Sequence, residues 1–345
     1  MSVLHLLGTA GDGGAETYFV DLVTALRRAG VAEAAAVRAH PGREAALRAA
    51  GVPVRTLRFG GPLDVLTRPA IAGYAKLQDA RLVLAWMNRA ARHAPKGPWA
   101  RIGRLGGYYN LKYYKGFDEL VANTEDIAEW IVSQGWPAGR VRCIPNFAAP
   151  NDLPGDDAPL DRASLGTPAD APLLLAMGRL HGSKAHDVSL QALALMPGAW
   201  LWIAGVGPLE AKLKAMAQAL RVDDRVRFLG WRTDAPALYR AADVCVFPSR
   251  YEPLGNVVIQ AWAHGLAVIA AESQGPKALV RAEEDGLLVP IDDAEALAEG
   301  ARRLIEQPQL RASLAAKGLA RVAAEFSQEA VVGHWTDLFA DYGAL

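Results

Sequence analysis

Short apolar runs alternate with amphipathic stretches along almost the whole chain, and this alternation restricts the fold more than any other feature of the sequence. The pattern is typical of parallel sheets that carry helices on both faces. We therefore predict an α/β fold built from doubly wound parallel sheets. The predicted strands of the first half are Val3–Leu7, Val54–Leu57, Leu82–Trp86 and Leu120–Ala122, and its predicted helices are Thr17–Arg28 and Thr124–Ser133.

The alternation stops between residues 148 and 171, where Pro, Gly and Asp are frequent and no periodicity is visible. Such a segment is typical of a linker, and 345 residues are long for a single hydrophobic core. We predict one domain over residues 1–155, a second over residues 156–326, and an amphipathic helix over residues 327–345 that returns to the first domain. The predicted strands of the second domain are Leu173–Met177, Trp200–Ala204, Val226–Leu229, Val244–Phe247, Ala267–Ala271 and Leu287–Val289.

The charge balance and the cysteines limit the class of protein. Lys plus Arg and Asp plus Glu both number 37, so no global field favours nucleic acid as a partner. The first apolar stretch breaks at Gly8 without a basic region before it, and no segment has the about 18 apolar residues that a spanning helix needs. Cys143 and Cys245 lie far apart in apparent strand segments, where a free thiol usually behaves as a small buried apolar group. We expect a cytoplasmic location and, because no His and Cys ligands cluster, no metal site.

A glycine-rich loop, GTAGDGGAE at residues 8–16, leads from the first strand into a helix. The main-chain amides of this loop can therefore face an anion at the helix N-terminus. A tight turn without a ligand is the alternative. Glu16 occupies the last glycine position of a dinucleotide-binding G-x-G-x-x-G pattern, and GVGPLE at 205–210 fails in the same way at Glu210, so the sequence argues against an oxidoreductase.

Two cations follow the strand Leu173–Met177, in the segment GRLHGSKAHD. Arg179 and Lys184 would lie at the carboxyl edge of the sheet, where α/β proteins bind ligands. Arg presents a fork to two phosphate oxygens and Lys a compact charge, so the pair suits a diphosphate. Solvated loop cations are the alternative.

A second segment, PSRYEPLGNVVIQAWAHG at residues 248–265, predicts a strand end, a loop and a helix that begins near Asn256. The amides of Gly255, Asn256 and Val257 would point at phosphate from the helix N-terminus. Glu252 lies just ahead of them and can accept hydrogen bonds from sugar hydroxyls, while Gln260, one turn inside, can reach a ribose. A helix-dipole partner with no ligand is the alternative for Glu252.

These segments resemble the retaining family 4 glycosyltransferases of the GT-B type, in which two Rossmann-like domains face a central cleft. The matching pieces are GGAE at 13–16, VRCIPNF at 141–147, GRLHGSK at 178–184, GVGPLE at 205–210, VRFLGW at 226–231 and the block 248–276. The resemblance implies transfer of a hexose from a UDP- or GDP-sugar to an acceptor hydroxyl in lipopolysaccharide, glycolipid or surface polysaccharide synthesis. The resemblance also implies that the reaction requires no cofactor.

The resemblance also assigns roles, with the donor in the C-terminal domain and a glycan or lipid-linked acceptor in the N-terminal one. Glu252 looks like the first carboxylate of the family's E-x7-E motif, Arg179 and Lys184 like its diphosphate pair, and these three are the expected catalytic residues. The expected donor-binding residues are Gly13, Gly14, Arg179, Lys184, Gly207, Glu252, Leu254, Gly255, Asn256, Val257 and Gln260.

Three positions depart from the family pattern. Gln260 replaces the second motif Glu, Ala185 replaces the glycine that commonly follows the loop lysine, and the stretch ARIGRLGGYYNLKYY lacks the N-domain histidine of many relatives. These departures leave two alternatives open: a nucleotide-sugar-binding protein without transferase activity, and an epimerase or hydrolase of the same fold.

The segment 94–117 is basic and aromatic and contains no acidic residue. Such a surface suits an anionic or lipid-linked acceptor, with peripheral association at the inner face of a membrane. The alternative is that the aromatic side chains belong to the core and the cations form a solvated rim. The predicted acceptor or membrane patch consists of Arg101, Arg104, Tyr108, Tyr109, Lys112 and Lys115.

Overall fold

A computed structural model describes residues 2–11, 13–61, 63–148 and 160–345. Contacts divide the chain into two compact units: unit 1 consists of Met1–Asn146 and Gln328–Leu345, and unit 2 of Phe147–Ser327. The expected domain boundary at residues 155 and 156, with most of the expected linker, lies outside the described residues. Within the described residues, no helix combines the length and apolarity needed to cross a bilayer.

The described residues form parallel strands connected by helices. The strands are β1 (Ser2–Leu7), β2 (Glu33–Arg38), β3 (Val54–Leu57), β4 (Ala80–Trp86), β5 (Ala100–Leu105), β6 (Glu119–Ala122), β7 (Val141–Cys143), β8 (Leu173–Met177), β9 (Trp200–Ala204), β10 (Val226–Gly230), β11 (Val244–Phe247), β12 (Ala267–Ala271) and β13 (Leu287–Val289).

The helices occupy the connections between these strands and the C-terminal end. They are α1 (Gly14–Arg28), α2 (Pro41–Ala49), α3 (Thr67–Leu77), α4 (Met87–His93), α5 (Glu125–Ser133), α6 (His186–Ala194), α7 (Glu210–Ala219), α8 (Ala235–Ala241), α9 (Asn256–Ala263), α10 (Gln274–Leu279), α11 (Ala294–Glu306), α12 (Pro308–Glu325) and α13 (Gln328–Asp341).

Each unit has its own sheet. Among the described residues, unit 1 has seven strands in the order β3-β2-β1-β4-β5-β6-β7, and unit 2 has six in the order β10-β9-β8-β11-β12-β13. All the paired strands are parallel; for example, Leu4 pairs with Ala34 and Val244 with Ala267. Helices cover both faces, which explains why the central strands are nearly continuous apolar runs.

The strand order reverses once in each sheet, between β1 and β4 in unit 1 and between β8 and β11 in unit 2. Consecutive connections run to opposite faces on the two sides of such a reversal, which opens a crevice at the carboxyl ends of the strands. The loops after β8 and β11 contain the residues that the sequence identified as catalytic.

Candidate functional site

Lys184 and Glu252 meet at the strand-order reversal of unit 2. The Lys184 ammonium donates a hydrogen bond to the Glu252 carboxylate, and the two side chains are 23% and 14% exposed. The same ammonium lies 5.3 Å from the centroid of the Phe247 ring, the last residue of β11. A half-buried cation and a carboxylate that solvent still reaches can both exchange partners with a ligand.

Arg179 lies on the same loop as Lys184, directly after β8, and its side chain is exposed. The structure thus brings two of the three expected catalytic residues into contact and places the third on the loop beside them. The diphosphate role of Arg179 stays a prediction.

The loop after β8 is held by a buried histidine that the sequence analysis did not identify. His186 is 3% exposed, and its Nε2 lies 3.2 Å from the main-chain oxygen of Gly178. Burial lowers the pKa of His186 to about 4. The ring is therefore neutral at pH 7 and can donate its single proton to Gly178.

Ala185 adopts the left-handed conformation, with φ 54° and ψ 37°, between the 3-10 turn Gly182–Lys184 and α6. A side chain in this region costs about 1–2 kcal/mol, which glycine avoids. This explains why glycine commonly follows the loop lysine in the family that the sequence resembles. Here the buried methyl group of Ala185 packs in the core of unit 2.

Glycines after β9 allow two loops to touch. A Cβ at Gly205, whose φ is 148°, would lie 2.0 Å from the Gly178 oxygen, and one at Gly207 would lie 2.4 Å from the Leu180 oxygen. The GVG sequence is therefore required by backbone contact with the loop that carries Arg179. A direct contact of Gly207 with the donor stays a prediction.

The loop after β11 ends at the N-terminus of α9. Gly255, which has no side chain, caps this helix with φ 94°. Leu254 is buried, whereas Asn256 and Val257 are half-buried. The main-chain oxygen of Glu252 accepts a hydrogen bond of 2.7 Å from the Gly275 amide, and this bond fixes the main chain of the motif glutamate.

Gln260 contacts α8 in this structure. Its Oε1 accepts a hydrogen bond of 3.0 Å from the Tyr239 hydroxyl. Tyr239 in turn stacks on His264, with ring centroids 5.0 Å apart. The side chain in the second motif position is thus oriented by a tyrosine, and its contact with a ribose stays a prediction.

Arg250 connects the two site loops, and sequence reasoning missed it. Its guanidinium donates two hydrogen bonds to Asp187, at 2.9 and 2.7 Å, and one of 2.9 Å to the Gly182 oxygen, and it also pairs with Asp292. The hydrogen bonds with Asp187 raise the pKa of Arg250. Burial alone would raise the pKa of Asp187, but the hydrogen bonds and charge of Arg250 keep it below its usual value. The sequence signal was the pair of charges in KAHD and PSRYE, which resemble solvated loop charges.

We expect Arg250→Ala to weaken the binding of a nucleoside diphosphate, the ligand that the resemblance implies, by about tenfold. The reason is that Arg250 holds the two site loops together, and one charge-assisted hydrogen bond contributes about that factor. Arg250→Lys should recover only part of this loss, since lysine cannot bind Asp187 with two parallel hydrogen bonds. Calorimetric titration measures the affinity. Arg303→Ala is the matched control, because Arg303 pairs with Glu283 in the same two-bond geometry, at 2.7 and 2.8 Å, on the exposed surface of unit 2. Equal losses in the Arg250 and Arg303 variants would contradict the positioning role.

In unit 1, Gly13 precedes α1 in extended conformation and Gly14 is the first helical residue, with no side-chain cap. Arg43 fixes the loop before them by donating to the main-chain oxygens of Thr9, at 2.9 Å, and Gly11, at 2.8 Å. Asp12 of the glycine-rich motif lies outside the described residues. An anion at the amides of Gly13 and Gly14 stays a prediction.

The predicted surface patch is wrong in one member, Arg104. This residue lies on β5, is 2% exposed, and donates a hydrogen bond to the Asn146 side chain. Its guanidinium lies over the rings of Trp86 and Tyr18, at 4.9 and 5.2 Å from their centroids. The physical reason is that Arg104 lies in the buried part of β5, an inner strand that is covered on both faces of the sheet there, whereas Arg101 lies near the start of the strand.

The other members of the patch divide between interior and surface. Lys112 and Lys115 are exposed, and Arg101, Tyr108 and Tyr109 are half-buried. The core interpretation holds for the neighbouring aromatic residues Trp99, Tyr114 and Phe117, which are buried. No group of three or more His, Cys, Asp or Glu side chains in the described part of the chain is arranged to hold a metal ion.

Comparison with known proteins adds to this geometry. The family described as "Glycosyl transferases group 1" matches residues 157–321. The lipopolysaccharide core biosynthesis glycosyltransferase LpsE of Rhizobium meliloti (strain 1021) is 37% identical over 334 residues, which are 95% of this chain and 96% of that protein. LpsD of the same strain is 35% identical over 345 residues, 98% of each chain.

The crystal structure of Anabaena HepE in complex with UDP has a TM-score of 0.86 to this chain. It is 20% identical and covers 99% of this chain and 100% of its own. At that identity the likeness shows the fold alone. It confirms the prediction of two Rossmann-like parallel-sheet domains of the GT-B type.

Proposed function

Since this chain belongs to the glycosyl transferases group 1 family, we propose that it transfers a hexose from a nucleoside diphosphate sugar to a hydroxyl group of a lipopolysaccharide-core glycolipid, with retention of anomeric configuration. That it is a glycosyltransferase follows from the family itself. The names of the relatives LpsE and LpsD support the acceptor class. The UDP in the HepE complex supports a uridine donor over a GDP-sugar.

The contact between Lys184 and Glu252 is the observation that carries this proposal. It lies where parallel sheets bind ligands, beside the N-terminus of α9, whose cap residue is Gly255. In the proposed reaction the acceptor hydroxyl attacks the anomeric carbon and the nucleoside diphosphate leaves. Lys184, Arg179 and the amides near Gly255 stabilise the charge that grows on the leaving group.

Glu252 accepts hydrogen bonds from hydroxyls of the transferred sugar in this proposal, after Lys184 has turned toward the phosphate. For a retaining reaction, a leaving-phosphate oxygen takes the acceptor proton on the face that the leaving group departs from. No protein nucleophile is required.

Thermal-shift screening against UDP and GDP, followed by product analysis with the better donor, tests the proposal. We expect stabilisation by UDP and transfer only when an acceptor is present. NMR of the product measures the anomeric configuration, and an inverted product would contradict retention. Donor consumption without acceptor would indicate the hydrolase or epimerase alternative, and binding without turnover the binding-only alternative.

We expect Gln260→Glu to tighten UDP binding by about tenfold, because a carboxylate accepts stronger hydrogen bonds from ribose hydroxyls than an amide does. Tyr239 can continue to donate to the new carboxylate, so its orientation is retained. Calorimetric titration of both proteins with UDP provides the measurement. Weaker binding by the variant would show that position 260 does not face the ribose.

We also propose that Arg101, Lys112 and Lys115 face an anionic, lipid-linked acceptor at the cytoplasmic face of a membrane. The exposed side chains of Lys112 and Lys115 support this.

A further inference from the structure

Arg104 is a buried cation without a counter-ion. It is 2% exposed, and no carboxylate of the described residues forms an ion pair with it. Its Nη2 donates to the Asn146 side chain, and its Nε is buried without a hydrogen-bond partner in the described part of the chain. Burial lowers the pKa of Arg104, yet a guanidinium stays charged at pH 7. Such a charge is unfavourable unless an anion neutralises it, and the rings of Trp86 and Tyr18 offset only part of this effect.

The guanidinium of Arg104 extends beyond the end of β5, toward the carboxyl edge of the unit 1 sheet. A Cβ at Gly106 would lie 2.6 Å from its Nη1 and 3.6 Å from Nδ2 of Asn123. Gly106 is half-buried, whereas Arg104 and Asn123 are buried. Because position 106 has no side chain, the guanidinium can approach the part of this loop that solvent reaches.

Other polar side chains at the same edge have buried atoms without a hydrogen-bond partner among the described residues. These atoms are the Thr9 hydroxyl after β1, Nε1 of Trp86 at the end of β4, Oδ1 of Asn88 just beyond it, and Oδ1 of Asn123 after β6. The strands β1, β4, β5 and β6 are consecutive in the parallel sheet, and Trp86 pairs in register with Arg104, so their carboxyl ends lie side by side. Buried polar groups are normally paired, and a cluster of exceptions indicates a site that a polar ligand or water completes.

The backbone at this edge is strained at Met87. This residue directly follows β4 and has a φ of 63°, which L-amino acids rarely adopt. Backbone strain is concentrated at sites where ligands bind. Met87 also lies where the strand order reverses, between β1 and β4, and parallel sheets bind ligands at such a reversal. The strain and the unpaired polar atoms therefore indicate the same position.

We infer that this edge of unit 1 is a subsite for one oxyanion of the acceptor, a carboxylate or a phosphate group, and that this oxyanion is the counter-ion of Arg104. Both groups offer two oxygens to the two parallel hydrogen bonds of a guanidinium. The amide of Asn123 and the hydroxyl of Thr9 bind neighbouring sugar hydroxyls. The subsite rests on the proposed function for its assignment to the acceptor, and it deepens that function: the acceptor is a sugar acid or a sugar phosphate rather than a neutral glycan.

Titration with small sugars tests the subsite directly. The probes are glucuronate, glucose 6-phosphate and glucose, which share one ring and differ in charge. They are added to the background Arg179→Ala/Lys184→Ala, which removes the expected diphosphate cations of unit 2. NMR follows the indole N–H signal of Trp86, identified as the signal that Trp86→Phe lacks.

We expect this signal to shift in a saturable way with at least one of the two anionic sugars and to stay in place with glucose. A larger response to glucuronate identifies a carboxylate as the preferred group, and a larger response to glucose 6-phosphate identifies a phosphate. No response to either anion, or an equal response to glucose, would overturn the inference.

Arg104→Met, made in the same background, separates binding of a ligand from a purely structural role. Because the charge has no counter-ion, an apolar side chain of similar length should leave the melting temperature equal to or above that of the background protein. The affinity for the anionic sugar should fall by about tenfold to a hundredfold, the contribution of a hydrogen bond to a charged group. Arg81→Met is the matched control, because it removes the same charge from the exposed start of β4 and should leave the affinity unchanged. Unchanged affinity in Arg104→Met, or an equal loss in both variants, would overturn the inference.

Gly106→Ala decides the question if Arg104→Met does not fold. Gly106 is not in the left-handed conformation, so its backbone accepts alanine, and the added methyl group would cover the guanidinium. We expect the affinity for the anionic sugar to fall by about tenfold, because a ligand then loses at least one charge-assisted hydrogen bond. Unchanged affinity in this variant would overturn the inference.

Thermal shift with UDP distinguishes failure of the subsite from failure of the proposed function. Arg104→Met and Gly106→Ala, each made in the parent chain, should leave the UDP shift unchanged, since the expected donor cations Arg179 and Lys184 belong to unit 2. A parent that binds UDP, together with a background protein that binds neither anionic sugar, would overturn the subsite alone. Binding of an anionic sugar without any binding of UDP by the parent would contradict the proposed function and leave the subsite intact.

Discussion

Replacing Lys184 by alanine is expected to lower kcat by about a hundredfold to a thousandfold, the usual effect of removing one preorganised charge at a developing anion. Lys184 is only 23% exposed and pairs with Glu252, and in the proposed reaction it turns from this carboxylate to the leaving phosphate. Its loss also leaves Glu252 without the cation that holds it. Because the leaving diphosphate gains negative charge in the transition state, the effect should appear in kcat rather than in KM alone.

Steady-state rates with the best donor provide the measurement for this variant. Lys212→Ala is the control, because Lys212 is an exposed lysine on α7 of the same unit and should leave kcat unchanged. Lys184→Arg keeps the charge and should retain more activity than the alanine variant. A change confined to KM would show that Lys184 binds substrate and transition state equally.

Replacing Trp262 by alanine is expected to lower the free energy of unfolding of unit 2 by about 3–5 kcal/mol, the usual cost of truncating a fully buried tryptophan. Trp262 lies on α9 and is 0% exposed. Its Nε1 donates a 2.8 Å hydrogen bond to the main-chain oxygen of Asp285. The Arg321 guanidinium lies 5.2 Å from its ring. Helix α12 approaches so closely that a Cβ at Gly318 would lie 2.3 Å from the indole.

Urea denaturation of parent and variant measures this change. Trp231→Ala is the control, because Trp231 is 77% exposed and its removal should leave the stability within about 0.5 kcal/mol of the parent. Since α9 also presents its N-terminus to the site, we expect Trp262→Ala to weaken UDP binding. A Trp262→Ala protein as stable as the parent would contradict the predicted loss of stability. Unchanged UDP binding would mean that the packing between α9 and α12 does not hold the site.

Much of the secondary structure was predictable because buried parallel strands have a local signature. The predicted bounds Leu173–Met177, Trp200–Ala204 and Val244–Phe247 coincide with β8, β9 and β11. The strands β2 and β5 have no such signature. Glu33–Arg38 is rich in alanine, the best helix former, and Ala100–Leu105 contains a glycine and two arginines. In both segments the tertiary environment of the sheet overrode local propensity.

The site could be predicted as two loops, but not as a connected structure. Lys184 and Glu252 were found through their positions after strands, and they are in contact. Arg250 and His186 were missed because the sequence around a polar residue is the same whether its side chain contacts solvent or a distant part of the chain. Asp187 and Arg250 are 63 positions apart, and no periodicity of the sequence indicates their pairing.

The sequence by itself determined the α/β class, the two Rossmann-like domains and the family, and it indicated the loops of the candidate site. Hydrophobic periodicity and glycine spacing, on which these predictions depend, are properties of neighbouring residues. Only the tertiary structure decided which charges are interior and which face a partner. Arg104 is buried against Trp86, whereas Lys112 of the same predicted patch is exposed. Burial and ion pairing depend on residues that folding brings together from distant positions, and a charged side chain is stabilised by whichever partner it meets there.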